Sequence, residues 1–205
     1  MITLYRHPLS GHSHRVELML SLLKLNFKTV DVDLMKGAQK QPEFVSKNPF
    51  GQVPVLEDDD ITLWDSNAII IYLARKYGND SWLPENPLDE AKVMPWLAIA
   101  AGKIAFGPAA ARLVNVFGAG LDHKNAINIS LDLFSVMDPV LTDTRFLAGN
   151  IPTIADVAAY SYIAHAPEGD VSLKGFPAIE SWLTRIEALD GFVPMQATSV
   201  GLKAA

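Results

Sequence analysis

The chain has 205 residues, of which 49% are hydrophobic and 20% charged, so it can bury the core of one large domain or two small ones. Its formal net charge is −6, and it therefore lacks the positive surface that a nucleic-acid backbone requires. Cysteine is absent, which excludes disulfides, cysteine-based zinc sites and a nucleophilic protein thiol, so that any reactive sulfur must arrive on a ligand.

No segment is predicted to span a membrane. The most apolar run, residues 96–116, is interrupted by two charged residues, a glycine, a proline and an asparagine. Residues 1–5 are predicted to form a strand, and they carry neither the basic start nor the small-residue cleavage site of a signal peptide. We therefore expect a soluble, cytoplasmic protein with no membrane or nucleic-acid partner.

Residues 1–77 are predicted to form a small α/β domain. Short β-rich runs at 2–5 and 27–32 flank a segment at 13–25 whose apolar residues recur at helical spacing. A strand–helix–strand unit of this kind favours parallel strands. The order β-α-β-α-β-β-α is completed by a short helix at 42–47, strands at 53–56 and 61–63, and an apolar helix at 65–76.

The last two predicted strands are separated by an acidic run, residues 57–60. Four adjacent carboxylates are typical of a solvated hairpin turn, and we prefer that interpretation to a binding site.

The second half of the chain is predicted to be all-helical. Residues 78–87 combine glycine, asparagine, aspartate, serine and two prolines, as expected of a linker. The sequence thus predicts a domain at 1–77, a linker at 78–87 and a helical domain of four to six helices at 88–205. Helical spacing of apolar residues recurs at 89–105, 124–142, 154–166 and 178–189.

Ser10 ends the loop between the first predicted strand and the first predicted helix. A serine at this position usually caps the helix. A helix N-terminus with a hydroxyl group also stabilises an anionic sulfur or oxygen atom, through its amides and its dipole. Both interpretations remain open from the local sequence.

Two other features point to a peptide ligand. If the Val53–Pro54 bond is cis, the backbone of Val53 can face outward and pair with an extended peptide, whereas a trans proline would simply begin an edge strand. Asp65 and Ser66 precede an apolar helix, where they either cap it or hold a ligand's ammonium and carboxylate groups. Together with Ser10, these features predict a pocket for an extended peptide with a zwitterionic end.

These motifs give the chain a resemblance to the cytosolic glutathione transferases over essentially its whole length. The most specific match is NPFGQVPVL at 48–56, followed at a fixed distance by DSNAI at 65–69. The run PLS at 8–10, with Arg15 after it, resembles the serine-type phi and theta classes, and also bacterial members that use serine, so the class stays open. The resemblance implies a thioredoxin-like N-terminal domain followed by an all-helical domain, glutathione as co-substrate, no metal, a homodimer and a role in detoxification.

The resemblance also implies roles for individual residues. Ser10 would hydrogen-bond the glutathione sulfur, the backbone of Val53 would pair with the cysteinyl unit, and Asp65 and Ser66 would hold the γ-glutamyl end. Further candidates are Gln52 near the γ-glutamyl end, Lys40 near the glycyl end, Pro54 in the cis peptide bond, His12 and Ser13 beside the sulfur, and Phe106 and Arg112 in the electrophile pocket.

The predicted reaction is attack by the glutathione thiolate on a small hydrophobic electrophile. A glutathione-dependent disulfide reductase or peroxidase, and a non-catalytic glutathione-binding protein, are the alternatives. Arg15 is expected to brace the two domains through buried charge pairing. The box formed by Thr153 and Asp156 is expected to cap a helix and to carry no chemistry.

Overall fold

The structure is a computed structural model that describes residues 1–204. It divides the chain into two compact units. The first contains Met1–Asn79 together with Asp190–Gln196, and the second contains Asp80–Leu189 and the C-terminal residues from Ala197 onward. A segment near the C-terminus thus belongs to the first unit although it follows the last long helix of the second.

The first unit contains a four-stranded mixed sheet in the order β2-β1-β3-β4. Strands β1 and β2 are parallel, and the other neighbouring strands are antiparallel. The predicted order of elements and the predicted parallel pair are both confirmed. The elements are β1 (Ile2–Arg6), α1 (Gly11–Leu22), β2 (Phe27–Asp31), a 3-10 turn (Ala38–Lys40), α2 (Pro42–Val45), β3 (Val55–Asp58), β4 (Ile61–Trp64) and α3 (Ser66–Tyr77).

The core of this unit lies where α1 and α3 pack together against the sheet. The Val53–Pro54 peptide bond is cis, and β3 begins directly after it at Val55, two residues later than predicted. The buried core side chains come from both helices and from the two central strands: Leu4, Leu18, Met19, Leu20, Leu56, Ile69, Ile70 and Leu73.

The acidic run is only partly a solvated turn. Asp58 belongs to β3 and is buried, whereas the chain turns at the two residues after it. Its Oδ2 accepts hydrogen bonds from the hydroxyls of Tyr72 (2.7 Å) and Tyr77 (2.6 Å) and from Lys76 Nζ (2.8 Å). Asp58 therefore ties the β3–β4 hairpin to α3, a role that the sequence interpretation missed.

We expect Asp58 to make stability depend on pH in strongly acidic solution. Burial raises the pKa of its carboxyl group, but the hydrogen bonds from Lys76, Tyr77 and Tyr72 outweigh that effect and lower the pKa from 3.8 to about 2. A depressed folded-state pKa stabilises the fold above the unfolded value, and this contribution of about 1–2 kcal/mol is lost as the pH falls through 2.

The measurement is the free energy of unfolding by urea between pH 5 and pH 2, for the wild type and for Asp58→Asn. The wild type should lose more stability than the variant over this range, because the asparagine does not titrate. Parallel pH profiles for the two proteins would show that Asp58 makes no such contribution.

The second unit is helical, as predicted. Its helices are α4 (Pro87–Ile99), a π-helical stretch (Ala100–Ala109), α5 (Ala110–Phe117), α6 (His123–Asp143), α7 (Ile154–Ala164) and α8 (Pro177–Glu187), with 3-10 turns at Ala166–Gly169 and Gly201–Lys203. The first predicted helix is longer than expected, because α4 continues through the π-helical stretch into α5. Gly118 ends α5 in the left-handed conformation, with φ +65°.

By length and composition, the continuous helix Pro87–Phe117 could cross a membrane. Half of its most apolar 18-residue segment is buried inside the protein. The core helix of a globular protein can have the same length and apolar composition, so these two properties by themselves do not indicate a membrane protein.

The predicted capping box is present at the start of α7. Asp156 is buried and accepts hydrogen bonds from the backbone N–H groups of Thr153 and Leu147, and Thr153 Oγ1 accepts one from Ala155 N. Trp182 Nε1 donates a further bond of 2.9 Å to Asp156. The box thus joins the loop before α7 to α8, which extends its role beyond capping.

Candidate functional site

A cavity of about 290 Å³ in the first unit gathers most of the predicted site residues. It lies where the start of α1, the loop before β3 and the turn from β4 into α3 meet. Nine side chains line it: His12, Asn48, Phe50, Gln52, Val53, Pro54, Trp64, Asp65 and Ser66. Segments that are more than 50 residues apart in the chain therefore contribute to one concave surface, as is typical of a small-molecule site.

Asp65 is held in an unusual backbone conformation beside this cavity. Its φ is +70°, which side-chain-bearing residues rarely adopt and which is often found at functional sites. Its Oδ1 accepts hydrogen bonds of 2.9 Å from both Asn67 N and Ala68 N, so Asp65 caps α3. Asp65 is exposed and lines the cavity, so its carboxylate is accessible to a ligand there.

Arg15 forms hydrogen bonds with the first two residues of α3. Its side chain is buried, and Nη1 donates hydrogen bonds to Ser66 Oγ (2.8 Å) and Asn67 Oδ1 (2.7 Å). Both partners belong to its own unit and are uncharged, and the expected charge pairing of Arg15 between the domains stays a prediction. The guanidinium group adds positive charge beneath the N-terminus of α3, which favours an anion there.

His12 is neutral at physiological pH. Burial, and secondarily the charge of Arg15, lower the pKa of its imidazole from 6.5 to about 3. Its Nδ1 lies 3.3 Å from Ser66 Oγ. Because Ser66 Oγ accepts a bond from Arg15, its hydroxyl hydrogen can be donated to His12 or to a ligand. His12 is thus a cavity residue that can donate or accept a hydrogen bond without carrying charge.

Ser10 caps α1. Its Oγ accepts a hydrogen bond of 3.2 Å from Ser13 N, which confirms the capping interpretation and leaves the hydroxyl hydrogen available for donation. Ser10 is half-buried and is not among the residues that line the 290 Å³ cavity. Ser13 is fully buried, and its Oγ accepts from His7 N at 3.2 Å. Ser13 therefore cannot touch a ligand in this structure, and its prediction as a neighbour of the sulfur is wrong.

Asn48 holds the loop that carries Gln52 and Val53. Its Nδ2 donates to Gln52 O (2.7 Å), and its Oδ1 accepts from Phe50 N (3.0 Å). No separate role is predicted for Asn48 from the sequence, although an asparagine just before a proline is a common signal of a turn. Its side chain shapes the cavity by fixing the backbone of this loop.

Lys40 is exposed and does not line the cavity. Its Nζ donates to Phe50 O at 3.1 Å, so it contacts the loop from outside. Gly51, with φ +57°, makes this approach possible, since a Cβ there would lie 2.7 Å from Gln39 O and 3.0 Å from Lys40 Cδ.

The two candidates in the helical unit have different environments. Phe106 is exposed and lines an apolar cavity of about 430 Å³ between the π-helical stretch, α5 and the start of α6. Arg112 is only 1% exposed, and its Nε donates to Glu168 Oε2 at 2.7 Å. The expectation that Arg112 faces an electrophile pocket is therefore wrong, because its charge is consumed by a buried ion pair.

Among residues 1–204, no group of three or more histidine, aspartate or glutamate side chains could hold a metal ion.

The mixed sheet with a cis proline, the cavity beside it and the helical second unit define a two-domain, thioredoxin-like protein with a site for a small polar ligand. Residues 1–75 match the model of the glutathione S-transferase N-terminal domain, and residues 123–190 match that of the C-terminal domain. The chain belongs to the glutathione S-transferase family.

Individual relatives cover almost the whole chain. Glutathione S-transferase F10 of Arabidopsis thaliana is 31% identical over 92% of this chain and 93% of its own length. The crystal structure of a glutathione S-transferase from Pseudomonas fluorescens has a TM-score of 0.89 and 31% identity, covering 96% of this chain and 99% of that one. The disulfide-bond oxidoreductase YfcG of Escherichia coli is 27% identical over 92% of this chain and 91% of its own length.

Proposed function

We propose that this glutathione transferase binds glutathione in the 290 Å³ cavity and transfers its thiolate to a small hydrophobic electrophile. The observation that carries the proposal is the convergence of Val53, Asp65 and Ser66 on one cavity in a chain of this family. Glutathione is the co-substrate, and the cysteine-free chain supplies binding, orientation and charge.

The γ-glutamyl end is assigned to the start of α3. Its carboxylate accepts a hydrogen bond from the Ser66 hydroxyl and is attracted by the helix N-terminus and by the charge of Arg15. Its ammonium pairs with Asp65. The backbone of Val53 pairs with the cysteinyl unit, Gln52 lies beside the γ-glutamyl end, and Lys40 lies at the glycyl end.

Ser10 is the proposed donor to the sulfur. A free thiol has a pKa of about 8.5, so only a few per cent is ionised at neutral pH. A hydrogen bond to a charged acceptor contributes about 1.5–3 kcal/mol, which is enough to lower that pKa by one to two units. The thiolate then forms a carbon–sulfur bond. With an aryl halide the halide departs, with an epoxide the opened ring oxygen takes a proton from solvent, and with an enone the carbon–carbon π bond breaks and the α-carbon of the resulting enolate takes a proton from solvent.

Phe106 is the proposed contact for the electrophile. It presents an exposed aromatic ring beside an apolar cavity, and such a surface suits a small hydrophobic molecule. We further propose a cytoplasmic location, a homodimeric assembly and a role in detoxification, and membership of the family supports all three.

The test is a panel of substrates with the purified protein. An aryl halide, an epoxide and an enone should each be examined for glutathione conjugation, and a mixed disulfide of glutathione and a peroxide for glutathione oxidation. The proposal predicts conjugation of at least one electrophile. The likeness to YfcG favours disulfide reduction as the second candidate. Disulfide turnover without conjugation would replace the first function by the second, and binding without turnover would leave a glutathione-binding protein.

A further inference from the structure

Two aromatic side chains form one wall of the 290 Å³ cavity. The ring centroids of Phe50 and Trp64 lie 5.2 Å apart with an interplanar angle of 56°, so the rings pack against each other. Both side chains are nevertheless partly exposed, at 61% and 41%. A packed but uncovered aromatic pair on the wall of a polar cavity leaves ring surface available to a ligand.

This wall lies next to the carboxylate assigned to the ligand's ammonium group. Trp64 is the last residue of β4 and directly precedes Asp65, so their Cα atoms are about 3.8 Å apart. Asp65 Oδ1 is occupied by two backbone amides, while Oδ2 accepts no hydrogen bond from residues 1–204. Trp64 and Asp65 line the same cavity, so a cation that pairs with Oδ2 inside it can also contact the Trp64 ring.

We propose that Trp64, held in place by Phe50, is a specificity-determining residue that binds the α-ammonium group of the γ-glutamyl substrate through a cation–π contact. The inference rests on the proposed function and adds a second recognition element to Asp65. An exposed ion pair contributes little by itself, because water screens it. A tryptophan face beside the carboxylate strengthens attraction for a cation and offers nothing to an uncharged analogue.

The experiment compares two ligands and three proteins by isothermal titration calorimetry. The ligands are glutathione and its desamino analogue, glutaryl-cysteinyl-glycine, which lacks only the ammonium group. The proteins are the wild type, Trp64→Leu and the matched control Trp64→Phe, which keeps an aromatic face. Trp64→Leu should weaken glutathione binding by about 3- to 30-fold and change binding of the analogue by less than about twofold, while Trp64→Phe should retain most of the affinity.

The outcomes separate this inference from the proposed function. If the wild type binds no glutathione, the proposed function fails. If the wild type binds glutathione and Trp64→Leu weakens both ligands equally, or neither, the cation–π contact is refuted while the proposed function stands. Thermal unfolding of each variant reports whether the fold is intact, and equal loss of both ligands through misfolding would also count against a role specific to the ammonium group.

Discussion

Ser10→Ala is expected to lower kcat/KM for conjugation at pH 7 by about 10- to 100-fold, because a hydrogen bond to the thiolate contributes about 1.5–3 kcal/mol. The dissociation constant of glutathione should change by only a few fold, since the γ-glutamyl and cysteinyl contacts remain. Without the Ser10 hydroxyl, the pKa of the bound thiol rises toward its free value. Activity of the variant should therefore recover as the pH is raised.

The direct measurement is titration of the bound thiolate by its ultraviolet absorbance. Ser10→Thr keeps the hydroxyl group and the cap, and serves as the matched control. The cap on Ser13 N is lost in the alanine variant, at a cost of about 0.5–2 kcal/mol, so urea unfolding should be measured alongside. An unchanged thiolate titration in Ser10→Ala would remove Ser10 from the mechanism.

Arg112→Met is expected to destabilise the protein by about 3–5 kcal/mol, because it leaves the buried carboxylate of Glu168 without its cation. Glu168 is fully buried and accepts hydrogen bonds from Arg112 Nε (2.7 Å), His165 Nδ1 (2.6 Å) and Thr198 Oγ1 (2.7 Å). Burial raises the pKa of Glu168, but these partners outweigh it and lower the pKa to about 2. Burial lowers the pKa of His165, whereas the guanidinium group of Arg112 keeps its charge at any pH of interest.

The free energy of unfolding in urea tests this prediction. Arg185→Met is the matched control, because Arg185 is only partly buried and its Nε donates only to Arg145 O in the contacts described. We expect the control to cost about 1 kcal/mol or less. The double variant Arg112→Met with Glu168→Gln should cost less than the sum of the two single changes, since no unpaired charge remains. If Arg112→Met lowered the free energy of unfolding no more than the control does, the ion pair of Arg112 with Glu168 would not stabilise the fold.

The order of the elements could be predicted because it depends on local patterns. Short β-rich runs and helical spacing of apolar residues identified the four strands and the long helices. A serine, aspartate or threonine at a helix start identified the caps at Ser10, Asp65 and Thr153. The cis Val53–Pro54 bond, which the structure contains, was implied by the family resemblance, since the local residues left cis and trans open.

The direction and surroundings of single side chains could not be predicted. Ser13 and His12 are neighbours in α1, yet Ser13 is fully buried while His12 lines the cavity. Asp58 belongs to a run of four acidic residues, yet it alone of the four is buried against two tyrosines and a lysine. These differences depend on which distant element packs over each residue.

The sequence by itself determined the two-part architecture, the absence of a protein thiol and the two motifs, at 48–56 and 65–69, that meet at the cavity. Only the tertiary structure showed that Arg15 donates a hydrogen bond to Ser66 and that Arg112 forms an ion pair with Glu168. It also showed that the rings of Trp64 and Phe50 pack together and line the cavity. The physical reason is that secondary structure follows the periodicity of neighbouring residues, whereas the partner of a buried charge or ring is set by packing between segments far apart in the chain.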